Sequence, residues 1–130
     1  MGKLTINKNF LLKQSEFLFT EYIQNNEKYK ILPFFRRTPA AWLIMLKIME
    51  NYYTDTDIHV EELIKEIPNK IASRLSIFGL IDNATKKGFI IKNGSNGDKR
   101  KKSIKPSEKF IKEYNEWLCA FADNRYITPS

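Results

Sequence analysis

The sequence is short of the residues that build most catalytic and metal centres. It holds one cysteine, Cys119, and one histidine, His59, in 130 residues. A single thiol excludes an intrachain disulfide and fits a reducing compartment. A zinc site needs about four clustered Cys, His or carboxylate ligands, and none is discernible, so no metal and no cofactor is expected. A Ser-His-Asp or Cys-His centre would have to use His59, which has no supporting motif. No catalytic residue is assigned, and an enzyme is not expected. Glycine and proline are also few, five of each; they fall at plausible element boundaries, and no Gly-rich phosphate loop is present. No stretch approaches the roughly 18 consecutive apolar residues of a membrane span. Met1 to Asn7 lacks an apolar core of signal-peptide length. The expectation is a cytoplasmic protein without membrane association.

What is present is an ordinary globular composition, 42% hydrophobic and 28% charged, enough for one packed domain over residues 1–130. The net charge is +7, and it is unevenly placed. Up to Glu66, nine basic residues meet nine acidic ones. Between Lys86 and Lys112, ten basic residues face only Asp98 and Glu108. Such one-sided charge suits a polyanion, because each neutralised phosphate releases condensed counterions. A basic loop kept for solubility is the plainer alternative.

Hydrophobic periodicity predicts a first helix from about Phe10 to Lys30, with apolar stripes at Phe10 and Phe17, at Leu11, Leu18 and Tyr22, and at Leu12, Phe19 and Ile23. These stripes cover about 240° of the circumference, roughly twice the arc a helix buries against its own domain. Such a helix needs two burial partners, its own domain and plausibly a second chain. Thr38 and Pro39 open the next helix, which runs to Tyr53 through Trp42, Leu43 and Leu46. A turn at Asp55-Thr56-Asp57 leads through an extended Ile58 to a brief helix from His59 to Glu66, stopped by Pro68. Ser73 then caps a helix to about Lys87, ended by Gly88, with Ile77, Leu80, Ile81 and Ala84 on its core face. Two helices joined by a short turn make a helix-turn-helix, whose second helix enters the major groove. Strands at Phe89–Lys92 and Lys101–Lys105 flank a turn from Asn93 to Asp98. Ser107 caps a last helix to about Ala122, with Phe110, Ile111, Tyr114, Trp117, Leu118 and Phe121 in one stripe.

This order of elements resembles the MarR family of winged-helix regulators over nearly the whole chain. The resemblance is sharpest in Ser73-x-x-Ser76-Ile77, Leu80-Ile81-Asp82, Lys87-Gly88-Phe89-Ile90 and Asp98-Lys99-Arg100, with Thr38-Pro39-Ala40-Ala41-Trp42-Leu43 similar to the start of the family's second helix. It implies a mainly α fold with a small β-hairpin, a MarR-like winged helix-turn-helix whose N- and C-terminal helices (about 10–30 and 107–122) form a dimer interface. It further implies that Asp98 braces the wing while Arg100 reaches the minor groove, and that any small-molecule effector, unidentified here, binds between the dimerisation helices and the DNA-binding lobe. The sequence departs from the family at Gly79, where a basic residue is common in the recognition helix, at the apolar Leu75 and Phe78, and at Lys105-Pro106-Ser107 before the last helix.

The expected function is a homodimeric transcriptional regulator binding double-stranded DNA, with helix 73–87 in the major groove and the wing at 89–105 in the minor groove. Its expected DNA contacts are Ser73, Arg74, Ser76, Asn83, Lys86 and Lys87 on the helix and Lys99, Arg100, Lys101 and Lys102 on the wing. Arg100 is favoured for the groove because successive strand residues alternate faces. The expected dimer contacts are Phe10, Leu11, Phe17, Leu18, Tyr22, Tyr114, Trp117 and Phe121. The alternative is a winged-helix adaptor that docks a protein through Leu75 and Phe78, with only nonspecific nucleic-acid contact. Single-strand binding would want aromatics interleaved with the basic patch, and only Phe89 lies near it.

Overall fold

A computed structural model of the chain describes residues 5–93 and 102–126, with side chains as far as 122. The elements run α1 (Lys8–Lys28), α2 (Ile31–Phe35), α3 (Pro39–Tyr53), β1 (Ile58–His59), α4 (Val60–Glu66), α5 (Arg74–Lys86), β2 (Ile90–Asn93), β3 (Ser103–Pro106) and α6 (Glu108–Tyr126). Local capping chemistry places most helix starts. Thr38 Oγ1 accepts the Ala41 N–H at 3.1 Å with Pro39 in the first turn. Ser73 and Ser107 accept the N–H groups of Ser76 and Phe110, each at 3.1 Å. Each cap satisfies one of the donors that a helix N-terminus leaves orphaned. Asn7 does the same for α1, accepting from Phe10 at 3.1 Å, so this helix starts before the expected Phe10.

One element was not expected. Ile31-Leu32-Pro33-Phe34-Phe35 forms α2, with all four of its non-proline residues buried. Its apolar residues surround a proline and show no 3.6-residue period, so the pattern does not signal a helix. Pro33 is tolerated because it lies in the first turn, where its missing N–H has no intrahelical partner anyway. The Glu113 carboxylate of α6 accepts the Ile31 N–H at 3.0 Å in the interior.

The strands form an antiparallel sheet in the order β1-β3-β2, with Ile58 opposite Ile104 and Lys92 also opposite Ile104 on the other side. The extended residue expected at Ile58 thus becomes a third strand. The core gathers Phe35, Ile44, Ile48, Leu63, Ile81 and Phe110, each at most 1% exposed. Ile77, Ile81 and Ala84 seat α5 on it. Tyr114 and Trp117, expected at a dimer interface, are instead only 6% and 5% exposed within the subunit. Their rings meet edge to face with centroids 5.6 Å apart, and Trp117 also meets Trp42 of α3 edge to face at 5.7 Å. Within the subunit, the stripe on α6 spends these two rings on its own core. Phe10, Phe17 and Phe121 are half-buried, with Phe17 against Phe121 at 5.6 Å.

Candidate nucleic-acid interface

The turn between α4 and α5 is closed by the Ile71 N–H, which donates to the Pro68 carbonyl at 2.9 Å. It delivers α5 with its apolar face inward and Ser73, Arg74, Leu75, Ser76, Gly79, Asn83, Lys86 and Lys87 exposed. At 100° per residue Leu75, Gly79, Asp82 and Lys86 fall within about 60° of one another, with Asn83 and Ser76 on their flank. The helix therefore presents one continuous outer face that carries both hydrogen-bonding and cationic groups.

The end of α5 is set as firmly as its start. Gly88 has φ +79°, a conformation that costs a residue with a Cβ roughly 1–2 kcal/mol. The Phe89 N–H donates to Ala84 at 2.9 Å and the Gly88 N–H to Thr85 at 3.0 Å, the paired bonds of a Schellman motif. This reversal points the chain into β2 and packs Phe89 against Phe34 at 5.4 Å. Lys92 on β2 pairs with Asp82 of α5, which offsets the one carboxylate on the outer face. Ser103 Oγ donates to the Asn93 carbonyl at 3.1 Å, across the mouth of the hairpin. Lys102 is half-buried, and its carbonyl accepts the Val60 N–H at 3.2 Å. The wing residues Asp98, Lys99, Arg100 and Lys101 lie outside the described residues.

Arg74 is placed differently from the other expected contacts. Its two terminal nitrogens donate to the two carboxylate oxygens of Glu61 on α4, both at 2.7 Å, and its guanidinium lies over Phe78 at 5.3 Å. Hydrogen bonding to Glu61 raises its pKa further, slightly offset by burial. Such a fork-to-fork pair occupies the donors that would read guanine. Ser73 and Ser76 are likewise joined through their hydroxyls at 3.0 Å.

The broad apolar arc expected on α1 is exposed within the subunit: Leu11, Leu12, Leu18, Phe19, Tyr22 and Ile23 all face outward, and Phe19 is 71% exposed. Sequence reasoning missed a cleft of about 900 Å³ between α1, α3 and α6, lined by Tyr22, Trp42, Leu46, Trp117 and Phe121 around Arg36. The Arg36 guanidinium pairs with Glu21 and lies 5.1 Å from the Trp117 ring and 5.2 Å from Tyr22. Its Nε and Nη1 are buried with no acceptor among the described residues. Glu21 could have been flagged from the sequence, since it is a carboxylate one turn after Phe17 and Leu18. Among the described residues no group of three or more His, Cys, Asp and Glu is arranged to hold a metal. No described helix is long and apolar enough to cross a membrane.

No protein-family model matches the chain, and no curated protein matches it by sequence. Solved structures match it by shape. NadR in complex with 4-hydroxyphenylacetate is 21% identical, with a TM-score of 0.52 over 97% of this chain and 80% of that one. The heme sensor protein PefR from Streptococcus agalactiae, in complex with heme, is 17% identical, with a TM-score of 0.53 over 92% of this chain and 80% of that one. A MarR protein from Peptoclostridium difficile is 23% identical, with a TM-score of 0.50 over 98% of this chain and 78% of that one. At these identities the likeness is one of fold, and that fold is the MarR-like winged helix-turn-helix expected from the sequence.

Proposed function

We propose that the protein is a cytoplasmic, homodimeric DNA-binding transcriptional regulator, one winged-helix domain flanked by dimerisation helices. The observation that carries this reading is the outer face of α5, where Asn83, Lys86 and Lys87 stand exposed beside a basic hairpin while Ile77, Ile81 and Ala84 anchor the helix. Asn83 is suited to adenine, and Lys86 and Lys87 to phosphate. Lys99, Arg100, Lys101 and Lys102 would extend the phosphate contacts along the wing, with Asp98 as a brace for Arg100. Ser73, Arg74 and Ser76 would act at the start of the helix. The exposed arc of α1 supplies an apolar face for a second copy.

Selection of bound sequences from a random duplex pool tests the reading. The expected result is an inverted repeat whose half-sites are centred about 34–36 Å apart. Replacing both Lys86 and Lys87 by alanine should weaken binding to all sequences alike and, with two subunits on the duplex, lower the slope of log K against log salt by about 3.6. No enrichment would overturn it, and salt-dependent binding without sequence preference would favour the adaptor instead.

The Arg36 cleft favours a second element, a small-molecule effector. The cleft is mainly aromatic and aliphatic around two cations, Arg36, which pairs with Glu21, and Arg37; that surplus of positive charge suits an aromatic carboxylate, the chemistry of the 4-hydroxyphenylacetate bound to NadR. Saturation at a hundredfold over Kd should stabilise the fold by about 2.7 kcal/mol. In thermal unfolding, 4-hydroxyphenylacetate should raise Tm and the uncharged 4-methylphenol should not. Equal shifts from both compounds, or none, would remove the effector from the reading.

A further inference from the structure

We propose that Leu75 reads a thymine methyl group and so makes the DNA sequence preference of this chain turn on T·A pairs; the inference rests on the DNA-binding reading above. Leu75 is 81% exposed, more than any other large apolar side chain among the described residues. A lone exposed leucine is ordinary on a protein surface. This one, however, is the second residue of α5, in the turn from which a recognition helix contacts base edges. In the major groove the thymine C5-methyl is the apolar feature that distinguishes one base pair from the others.

The neighbours of Leu75 narrow what can be read there. Arg74, the residue that would otherwise select guanine, has its guanidinium fork on Glu61. Ser73 and Ser76 bond to each other. Gly79 follows Leu75 by one turn on the same face, and a Cβ built there meets nothing within 4 Å. Packing inside the subunit therefore does not demand a glycine at 79. What the glycine does is leave the outer face low beside Leu75, so that the helix backbone can approach the base edges. Lys86 further along the face, together with Lys87 at the helix end, draws in a polyanion, which favours DNA over an apolar protein partner at this surface.

The test uses the intact protein and chemically altered DNA, so that folding is not in question. The duplex selected by the wild-type chain is resynthesised with uracil replacing thymine at one position at a time, which removes only the methyl. One such position in each half-site should cost the wild type about fourfold in affinity, and about fifteenfold when both half-sites are changed. The variant Leu75→Ser, folded by circular dichroism, should bind the thymine and uracil duplexes within about twofold of each other. An enriched site whose binding is insensitive to every uracil overturns the role of Leu75 but leaves the regulator reading intact. A wild-type response to uracil that persists in Leu75→Ser also overturns it. Failure to select any duplex overturns both readings together.

Discussion

Replacing Glu21 with alanine is expected to destabilise the fold by about 3–5 kcal/mol, the usual effect of removing one partner from a buried ion pair. The Glu21 and Arg36 side chains are only 7% and 5% exposed. A single carboxylate oxygen of Glu21 accepts from Arg36, from Trp117 Nε1 at 2.7 Å and from Asn25 Nδ2 at 3.0 Å. Alanine would leave the Arg36 charge enclosed by Tyr22, Trp42 and Trp117. It would also leave the indole N–H unpaired, and an unsatisfied buried donor adds about 1–3 kcal/mol on its own. Cation–π contact with the rings compensates only part of this, at about 2 kcal/mol for a desolvated cation. The double variant Glu21→Leu with Arg36→Met, which removes both charges, should recover most of the loss. Urea unfolding at one protein concentration measures both. A loss below about 1 kcal/mol for Glu21→Ala would mean that the guanidinium finds other relief.

The second large effect is expected on α1. Phe19→Asp combined with Ile23→Asp places two charges on the arc formed by Leu11, Leu12, Leu18, Phe19, Tyr22 and Ile23, all about half exposed or more. Both positions lie on the side of α1 opposite Glu21, and neither lines the Arg36 cleft, so the subunit should fold. The proposed dimer should separate, because an unpaired charge in an apolar interface is strongly unfavourable. Losing the second half-site should then lower operator affinity by about 10²–10⁴-fold. Sedimentation of the variant and a binding titration on the selected duplex check the two steps. A variant that remains dimeric would move the two-fold contact elsewhere.

How much of this was legible depends on how far apart the determining residues lie. Thr38, Ser73 and Ser107 each cap a helix through a bond to a residue three positions on, so the starts of α3, α5 and α6 could be read directly. The apolar period of α5 and the glycine after it sufficed to place that helix. The start of α1 was misjudged because Asn7 caps it so that it begins at Lys8, two residues ahead of Phe10, the first apolar residue of the helix. The short α2 was unreadable, since five residues with a proline in the middle have no period to detect, and its first N–H is satisfied by Glu113, 82 positions away.

Within the candidate site the division is the same. That Ser73, Ser76, Asn83, Lys86 and Lys87 share an exposed helix surface follows from spacing alone. That Arg74 is held by Glu61 does not, because their pairing depends on the angle at which α4 meets α5. Likewise Tyr114 and Trp117 belong to a stripe whose periodicity marks it as buried, without saying whether the cover is the same chain or another.

The order of α1, α3, α4, α5, β2, β3 and α6, the caps of α3, α5 and α6 and the concentration of positive charge after Glu66 were therefore determined by the sequence itself, because they arise from periodicity, from contacts within one turn or from composition. Only the tertiary structure decided the pairing of β1 with β3, the enclosure of Arg36 with Glu21 and Trp117, and the commitment of Arg74 to Glu61. Each of these joins groups on different elements, and the relative placement of two elements is set by how the whole core packs rather than by any local run of residues.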